Sequence, residues 1–428
     1  MARGQLNTHY LIEVVRHLYL HIPFCRRRCS YCDFSIAVRK RIPASEYVDA
    51  VLRELALIRA ADPGPAARGL GDPGFGNEAS LETRYRAADP GPAARGLGNL
   101  GSENAAPLET LYLGGGTPSL LPPDAVGRLL TSLRDAFGVT STRDDVEVTI
   151  EANPEDVTPG SARAWRAAGI NRASLGVQSF DDRVLKWMHR RHDAGSIREA
   201  VRVLREAGID NISCDLIFAL PAELGRDWSR DLDSAVALAP LHLSLYGLTV
   251  EPRTPLARWI SRGACAAPDD ERYADQYLVA HERLAAAGYR FYEVSNACRD
   301  GFRSRHNCAY WSGRTYLGLG PAAHSFDGRA RRWNVAPWEP YRRALAAGRS
   351  PVEAEEVLTP EQRELERSYL ALRTDAGLAP SACPPDRLTA WVGKGWVAVS
   401  GQRVTCTPEG WLRLDALVRD LTGARVTV

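Results

Sequence analysis

Residues 21–34 read HIPFCRRRCSYCDF, and three cysteines of this stretch, Cys25, Cys29 and Cys32, lie within eight residues. The stretch follows a strand-like segment at 17–21, so the three thiols are expected on one loop at the carboxyl end of a strand. Three soft sulfur ligands this close together suit a single metal centre or a metal cluster. The pattern therefore predicts a metal site directly after the first strand.

The number of thiols bears on the kind of metal site. A structural zinc site takes four ligands, and a [4Fe-4S] cluster also normally takes four thiolates. A cluster held by only three thiolates leaves one iron open to a substrate or cofactor. Three unconnected thiols are a poor alternative at this density. The other six cysteines are scattered and offer no obvious fourth ligand: Cys214, Cys265, Cys298, Cys308, Cys383 and Cys406.

Outside this stretch the chain alternates short strand-like segments with amphipathic helix-like ones. Strands are predicted at 17–21, 110–113, 146–151, 172–176, 211–217, 241–248 and 289–294. Helices are predicted at 44–60, 123–137, 159–168, 196–207 and 229–239. Such alternation is typical of βα units around a parallel sheet. The pattern predicts an α/β fold, a complete or partial (β/α)6 barrel whose chemistry collects at the carboxyl ends of its strands.

The predicted secondary-structure pattern changes near the end of the chain. A charged amphipathic helix is predicted at 359–373, followed by helix, hairpin and helix over 388–421, as in a winged-helix module. Its mixed surface charge favours a packing role over nucleic-acid recognition. The predicted parts are an N-terminal extension, the barrel, a second extension and this C-terminal module, at 1–16, 17–250, 251–350 and 351–428.

A tandem repeat interrupts the barrel between its first helix and second strand. The sequence RAADPGPAARGLG at 59–71 recurs identically at 86–98, a period of 27 residues. Two copies do not make a solenoid, and the segment 61–106 is rich in Gly, Pro and Ala without apolar periodicity. We expect a mobile surface insertion, with a functional lid as the less favoured alternative.

Composition excludes several classes of protein. Lys and Arg number 54 and Asp and Glu 52 in 428 residues, a balance unlike that of a dedicated nucleic-acid or anionic-membrane binder. The longest uncharged run, 234–250, contains Pro240 and His242 and falls short of the roughly 20 apolar residues of a membrane helix. Nine cysteines and no recognisable secretory signal favour a reducing compartment. The sequence thus predicts a cytoplasmic protein without a membrane span.

The CxxxCxxC spacing after a first barrel strand resembles that of the radical S-adenosylmethionine superfamily. This resemblance implies a [4Fe-4S] cluster on Cys25, Cys29 and Cys32. It also implies that the open iron chelates the amino and carboxylate groups of S-adenosylmethionine, which electron transfer cleaves to methionine and a 5'-deoxyadenosyl radical. The implied contacts to S-adenosylmethionine, with Tyr31 near the adenine, are Tyr19, His21, Tyr31, Gly114, Gly115, Gly116, Thr117, Glu151, Gln178, Arg190 and Asp215.

Several of these residues also have a purely structural interpretation. A run of glycines is more often a turn than a ligand site, although here it follows a strand. The carboxylate of Glu151 at a strand end can simply cap a helix. Arg190 lies in a run with His189, Arg191 and His192 that fits a solvated helix face.

Three sequence segments resemble one particular subgroup of this superfamily. YLHIPFC, GGGTPS and SLGVQSF together resemble the subgroup that contains oxygen-independent coproporphyrinogen III oxidase and the heme chaperone HemW. The oxidase carries a further cysteine two residues after the third, where this chain has Phe34. It also has a longer segment before the cluster, whereas 24 residues precede Cys25 here.

Residues 304–311 read SRHNCAYW and resemble the HNxxYW heme-binding motif of the chaperones in this subgroup. Imidazole is a natural axial ligand of heme iron, and aromatic rings can cover a porphyrin face. The resemblance implies His306 as the heme ligand and Cys308 as a second candidate, whereas spacing alone favours a buried core histidine. Other residues expected near this site are Asn307, Tyr310 and Trp311, with His324 helping to shape it.

The resemblance therefore implies a protein that binds heme and passes it to an unidentified acceptor protein. A cluster with S-adenosylmethionine and an electron donor are further implied features. A homodimer and peripheral membrane association are left open. The chief rival is the oxidase, which decarboxylates two propionates of coproporphyrinogen III to vinyl groups by hydrogen abstraction. A zinc-dependent nucleic-acid-binding protein is the third hypothesis, but it needs a fourth ligand and a basic face.

Overall fold

The computed structural model describes residues 15–61, 108–139 and 145–422. The tandem-repeat insertion predicted at 61–106 lies outside these ranges except for Ala61, and so does most of the predicted extension at 1–16. Within the described ranges, no helix is both long and apolar enough to cross a membrane.

Sixteen strands are present in the described ranges. They are β1 (His17–Ile22), β2 (Phe24–Cys25), β3 (Ala37–Val38), β4 (Thr110–Gly115), β5 (Glu147–Ala152), β6 (Arg172–Gln178), β7 (Asn211–Phe218), β8 (His242–Gly247), β9 (Arg290–Glu293), β10 (Asn296–Cys298), β11 (Leu317–Leu319), β12 (His324–Phe326), β13 (Ala330–Asn334), β14 (Val352–Val357), β15 (Val397–Ser400) and β16 (Arg403–Cys406).

Fourteen α-helices connect or follow these strands in the described ranges. They are α1 (Ala44–Ala61), α2 (Pro123–Ala136), α3 (Pro159–Ala167), α4 (Asp182–Trp187), α5 (Ala194–Glu206), α6 (Trp228–Ala237), α7 (Pro255–Ser261), α8 (Asp270–Ala286), α9 (Arg305–Trp311), α10 (Trp338–Ala346), α11 (Pro360–Arg373), α12 (Pro385–Gly393), α13 (Pro408–Trp411) and α14 (Leu414–Thr422).

The main sheet confirms the predicted parallel core. Strands β1, β4, β5, β6, β7 and β8 are parallel and lie side by side in chain order, with helices between them. Strand β11 pairs in parallel with β1 at one side of the sheet. At the other side, β10 pairs antiparallel with β8, and β9 pairs antiparallel with β10. The sheet is a partial (β/α)6 barrel with β11 and β9 at its two edges.

The C-terminal part also follows the predicted order. Helix α11 is followed by α12, the β15–β16 hairpin, α13 and α14, and α11 packs against α14. A capping box starts α11, in which the Thr359 side chain accepts from the Gln362 amide and the Gln362 side chain accepts from the Thr359 amide. Before this part, β12, β13 and β14 form a small antiparallel sheet. The boundaries proposed at 250 and 350 stay a prediction.

A buried carboxylate joins the first helix to the far edge of the sheet. Glu54 of α1 is 2 % exposed, and its Oε2 accepts from the Gly320 amide at 2.8 Å and from the Tyr341 hydroxyl at 2.6 Å. The Asn334 amide group donates to Oε1. Burial raises the pKa of Glu54 to about 7, although the three hydrogen-bond donors lower it in part. The contacts tie α1 to α10, to β13 and to the end of β11.

This carboxylate predicts a pH-dependent contribution to stability. The folded protein holds the Glu54 proton to higher pH than the unfolded chain, whose pKa is about 4.5. Its contribution is therefore fully present below pH 4.5 and declines, by roughly 3 kcal/mol, as pH rises to about 7. Glu54→Ala, which leaves three donors unpaired, should lower the free energy of unfolding by about 2–4 kcal/mol at pH 5 and by less at pH 8.

Denaturant unfolding of both proteins across this pH range measures the difference. Glu46→Ala is the matched control, because Glu46 lies on the same helix and is exposed. It should change the free energy of unfolding by about 0.5 kcal/mol or less. A Glu54→Ala effect that did not vary with pH would contradict the assignment.

Candidate functional site

A cavity of about 440 Å³ opens at the carboxyl ends of the parallel strands. Cys25, Cys29 and Cys32 line one side of it, because the loop after β1 folds over the strand ends. The opposite wall comes from the ends of β4, β5, β6 and β7. This is the edge at which parallel α/β sheets place their chemistry.

The three cysteines line the same cavity and differ in their burial. Cys25 is buried, whereas Cys29 and Cys32 are partly exposed. Burial raises the pKa of Cys25 to about 11 and that of Cys32 to about 12, and negative charge on a neighbouring thiol raises each further. Thiolates at these positions therefore require a positive partner, which a metal centre supplies.

The position of the cysteine loop is compatible with a metal cluster. Among the described residues, no three His, Cys, Asp or Glu side chains converge closely enough to hold one metal ion. In a [4Fe-4S] cluster each thiolate binds a different iron, so the sulfurs stand further apart than around one ion. The cysteine loop borders the 440 Å³ cavity, which gives an iron without a protein ligand access to a second molecule.

The glycine run brings the ends of β1 and β4 into close contact. Gly115 has φ +109°, and a Cβ atom there would lie 2.7 Å from the His21 ring. A Cβ atom at Gly116 would lie 2.8 Å from the Phe24 carbonyl oxygen. Only glycine fits these positions, so the run shapes the strand ends as well as exposing backbone to the cavity.

Two partly buried carboxyl groups, of Glu151 and Asp215, form part of the cavity wall. Glu151 accepts from the Tyr112 hydroxyl at 2.9 Å and from the Gly115 amide at 3.0 Å, and burial raises its pKa to about 7. Asp215 accepts from the hydroxyl groups of Ser174 and Ser213, and burial raises its pKa as well. Glu151 therefore does not cap a helix. Both groups can accept hydrogen bonds from a polar or cationic ligand.

Arg190 faces the cysteine loop instead of solvent. Its guanidinium donates to the Gly176 carbonyl at 2.8 Å and contacts Cys29 Sγ at 3.6 Å. It also donates to Asn153. Nearby Gln178 is buried and has φ +66° at a bulge between β6 and β7. Such strain in a non-glycine residue is common at functional sites.

Most of the predicted S-adenosylmethionine contacts share this cavity. They are Tyr31, Gly115, Gly116, Thr117, Glu151, Gln178, Arg190 and Asp215. Gly114 is not among the lining residues, and Tyr19 and His21 line a separate cavity of about 370 Å³. Their roles as contacts stay a prediction.

Sequence reasoning overlooked Asn153, Ser174 and Tyr246, which also line the 440 Å³ cavity. Ser174 could have been found, because it alternates with Gly176 and Gln178 along β6 and so shares their face. Asn153 follows Glu151 by two residues at a strand end, which is a weaker signal of the same kind. Tyr246 lies near the carboxyl end of β8.

The HNxxYW segment forms α9, and its histidine is buried. His306 is 1 % exposed, with Nδ1 2.7 Å from Thr110 Oγ1 and Nε2 2.9 Å from the Tyr310 hydroxyl. Its ring stacks on Tyr112 with centroids 5.0 Å apart, and burial lowers its pKa to about 3. This is the arrangement of the core-histidine alternative. The role of His306 as a heme ligand stays a prediction, and it would require the Tyr310 hydroxyl to release Nε2.

Other residues of the segment reach two adjoining cavities. Tyr310 and Trp311 line the 370 Å³ cavity, and Cys308 and Trp311 line another of about 580 Å³ between α9 and α11. Burial raises the pKa of Cys308 to about 11. The amide of Asn307 donates to the Ser304 hydroxyl that caps α9.

A three-cysteine loop at the end of the first strand of a partial (β/α)6 barrel defines a radical SAM protein, and residues 80–235 match the Radical SAM superfamily. The chain belongs to the heme chaperone HemW family. It is 35 % identical to "Heme chaperone HemW" of Mycobacterium tuberculosis over 412 residues, covering 95 % of this chain and 94 % of that protein. The Synechocystis protein of the same name is 34 % identical over 375 residues, covering 86 % and 80 %.

Two further relatives extend the comparison. "Radical S-adenosyl methionine domain-containing protein 1, mitochondrial" of Bos taurus is 31 % identical over 435 residues, covering 94 % of this chain and 86 % of that protein. The solved structure of coproporphyrinogen III oxidase (HemN) from Escherichia coli superimposes with a TM-score of 0.73 at 21 % identity, covering 97 % of this chain and 92 % of that one. The similarity to the HemN structure shows that the two proteins share a fold.

The close contact at Gly115 predicts a selective effect of substitution. Gly115→Ala should lower the free energy of unfolding by about 2–4 kcal/mol and reduce the iron retained after cluster reconstitution, because the methyl group meets His21 at a positive φ. Thermal unfolding and iron analysis measure both effects.

Gly127→Ala is the control. Gly127 lies inside α2 with no atom near its missing Cβ, so alanine should leave iron content unchanged and stabilise the protein by about 0.5–1 kcal/mol. Equal behaviour of the two variants would contradict the importance of the β1–β4 contact.

Proposed function

We propose that this protein binds heme, holds a [4Fe-4S] cluster with S-adenosylmethionine, and passes the heme to an acceptor protein. The observation that carries the proposal is the 35 % identity to "Heme chaperone HemW", which extends over 95 % of the chain. An electron donor, a homodimer, a cytoplasmic location and peripheral membrane association stay predictions.

Residues of the 440 Å³ cavity support the cluster and S-adenosylmethionine. Cys25, Cys29 and Cys32 would each bind one iron, and the cluster would supply an electron and an open coordination site. Glu151 offers an acceptor for a ligand amino group, and its raised pKa makes the strength of this contact depend on pH near neutrality. Arg190 fixes Cys29 at one end of the cavity and can meet negative charge.

Features around α9 support heme binding. The 370 and 580 Å³ cavities lie against this helix and share the aromatic residues Trp311 and Phe326. Planar aromatic walls suit a porphyrin, and both volumes fall within the roughly 300–1,000 Å³ typical of ligand pockets. The segment that resembles the HNxxYW motif therefore borders space of the right kind.

The oxidase remains the rival function, and one position argues against it. Phe34 stands where the oxidase has its additional cysteine, and its side chain is 61 % exposed beside the cysteine loop. The residue cannot ligate a metal or exchange a proton. The similarity to the HemN structure concerns the fold and does not favour decarboxylation.

Cluster reconstitution tests the first part of the proposal. Under anaerobic conditions the protein should take up about four irons per chain, and Cys25→Ala should lose most of them. Cys383→Ala is the control, because Cys383 is buried in the C-terminal part and should retain the cluster. Iron and sulfide analysis measures the outcome, and tight zinc binding without iron would contradict it.

Heme transfer separates the chaperone from the oxidase. The heme-loaded protein, mixed with a heme-free b-type cytochrome, should lose its Soret absorbance as the cytochrome gains one. With S-adenosylmethionine, a reductant and coproporphyrinogen III, it should form no protoporphyrinogen. Decarboxylation without heme transfer would favour the oxidase and overturn the proposal.

A further inference from the structure

We propose that His324 is the axial ligand of the heme iron, and that the porphyrin occupies the 370 Å³ cavity beside it. The inference rests on the proposed function, since it assigns the place and the ligand of the heme that this function requires. Nothing in the HNxxYW resemblance names His324 as a ligand. The assignment comes from the surroundings of the imidazoles near α9.

The cavity has the walls that a porphyrin needs. Tyr310, Trp311, Tyr316, Phe326 and Leu370 line it, and they come from α9, from the strands near the sheet edge and from α11. The 580 Å³ cavity shares three of these side chains, so the two spaces adjoin. A large, flat and mainly apolar ligand can extend across both, with its faces against aromatic rings.

His324 presents an available imidazole to this space. It is exposed, begins β12, and lines the cavity. Its ring stacks on Trp333 at an interplanar angle of 25°, which fixes the ring plane. Within the described part of the chain, neither of its ring nitrogens has a hydrogen-bond partner.

The other candidate ligands nearby are hydrogen-bonded or line a different cavity. His306 is buried and uses both ring nitrogens, with Thr110 and Tyr310. His21 lines the same cavity, but its Nδ1 contacts the Tyr19 hydroxyl and its Nε2 contacts the Ser35 carbonyl, both at 3.2 Å. Cys308 lines the adjoining 580 Å³ cavity and not the 370 Å³ cavity.

The charged side chains at the cavity suit the propionate groups of heme. Two guanidinium groups, of Arg314 and Arg331, line it against the single carboxylate of Glu366. Arg331 pairs with Glu366, and Arg314 is half exposed and contacts Glu109 at 3.2 Å. Heme propionates are carboxylates, which arginine binds in a bidentate fashion. The rim can thus hold the propionates while His324 meets the iron.

Heme titration of the reconstituted full-length protein tests the assignment. His324→Ala should weaken heme binding about tenfold or more and should remove the histidine-ligated Soret and resonance Raman signature. Added imidazole should restore that signature, because it can enter the space left by the side chain. Iron content should stay at the wild-type level, which shows that the fold and cluster are intact.

Two variants serve as controls. His306→Gln keeps a hydrogen-bonding side chain between Thr110 and Tyr310, and Cys308→Ala removes the nearby sulfur; both should retain histidine ligation of the bound heme. If His306→Gln lost the histidine-ligation signature and His324→Ala kept it, the assignment of His324 would be overturned. The proposal that the protein binds heme would still stand. A wild-type protein that bound no heme would instead refute the proposed function, and the ligand assignment with it.

Discussion

The contact between the ends of β1 and β4 is the constraint on which the rest of the site depends. Ile22 and Gly115 stand opposite each other in the parallel register, and the Gly116 amide donates to the Ile22 carbonyl at 2.7 Å. Without a side chain at Gly115, the His21 ring fills the space between the strands. This packing sets where the cysteine loop leaves the sheet, so the glycine run positions Cys25, Cys29 and Cys32 from the neighbouring strand.

The sequence predicted the six parallel strands well, because each is long enough to show an apolar pattern and is followed by an amphipathic helix. It did not predict β10, β11 or the strands of the small β12–β14 sheet. Strands β10 and β11 have three residues each, too few for a periodicity to be visible, and they form because neighbouring edges supply hydrogen-bond partners. Tertiary pairing of this kind leaves little trace in local sequence.

The candidate site was predictable where spacing alone fixes geometry. Three thiols on one loop and polar residues at neighbouring strand ends must meet at one edge of a parallel sheet. The motif at α9 is different, because a helix presents its residues to several surroundings at once. Its sequence cannot show that His306 points into the barrel while Trp311 points to the cavities. That distinction depends on Tyr112 and Thr110, which are remote in the chain.

The position of His21 gives the molecule two compartments with a shared partition. One side of its ring packs on Gly115, which lines the 440 Å³ cavity, and the ring also borders the 370 Å³ cavity. Burial lowers the pKa of His21, and the nearby His324 lowers it a little further. The partition is therefore a single imidazole thick, so a change in the His21 side chain would alter the shape of both cavities at once.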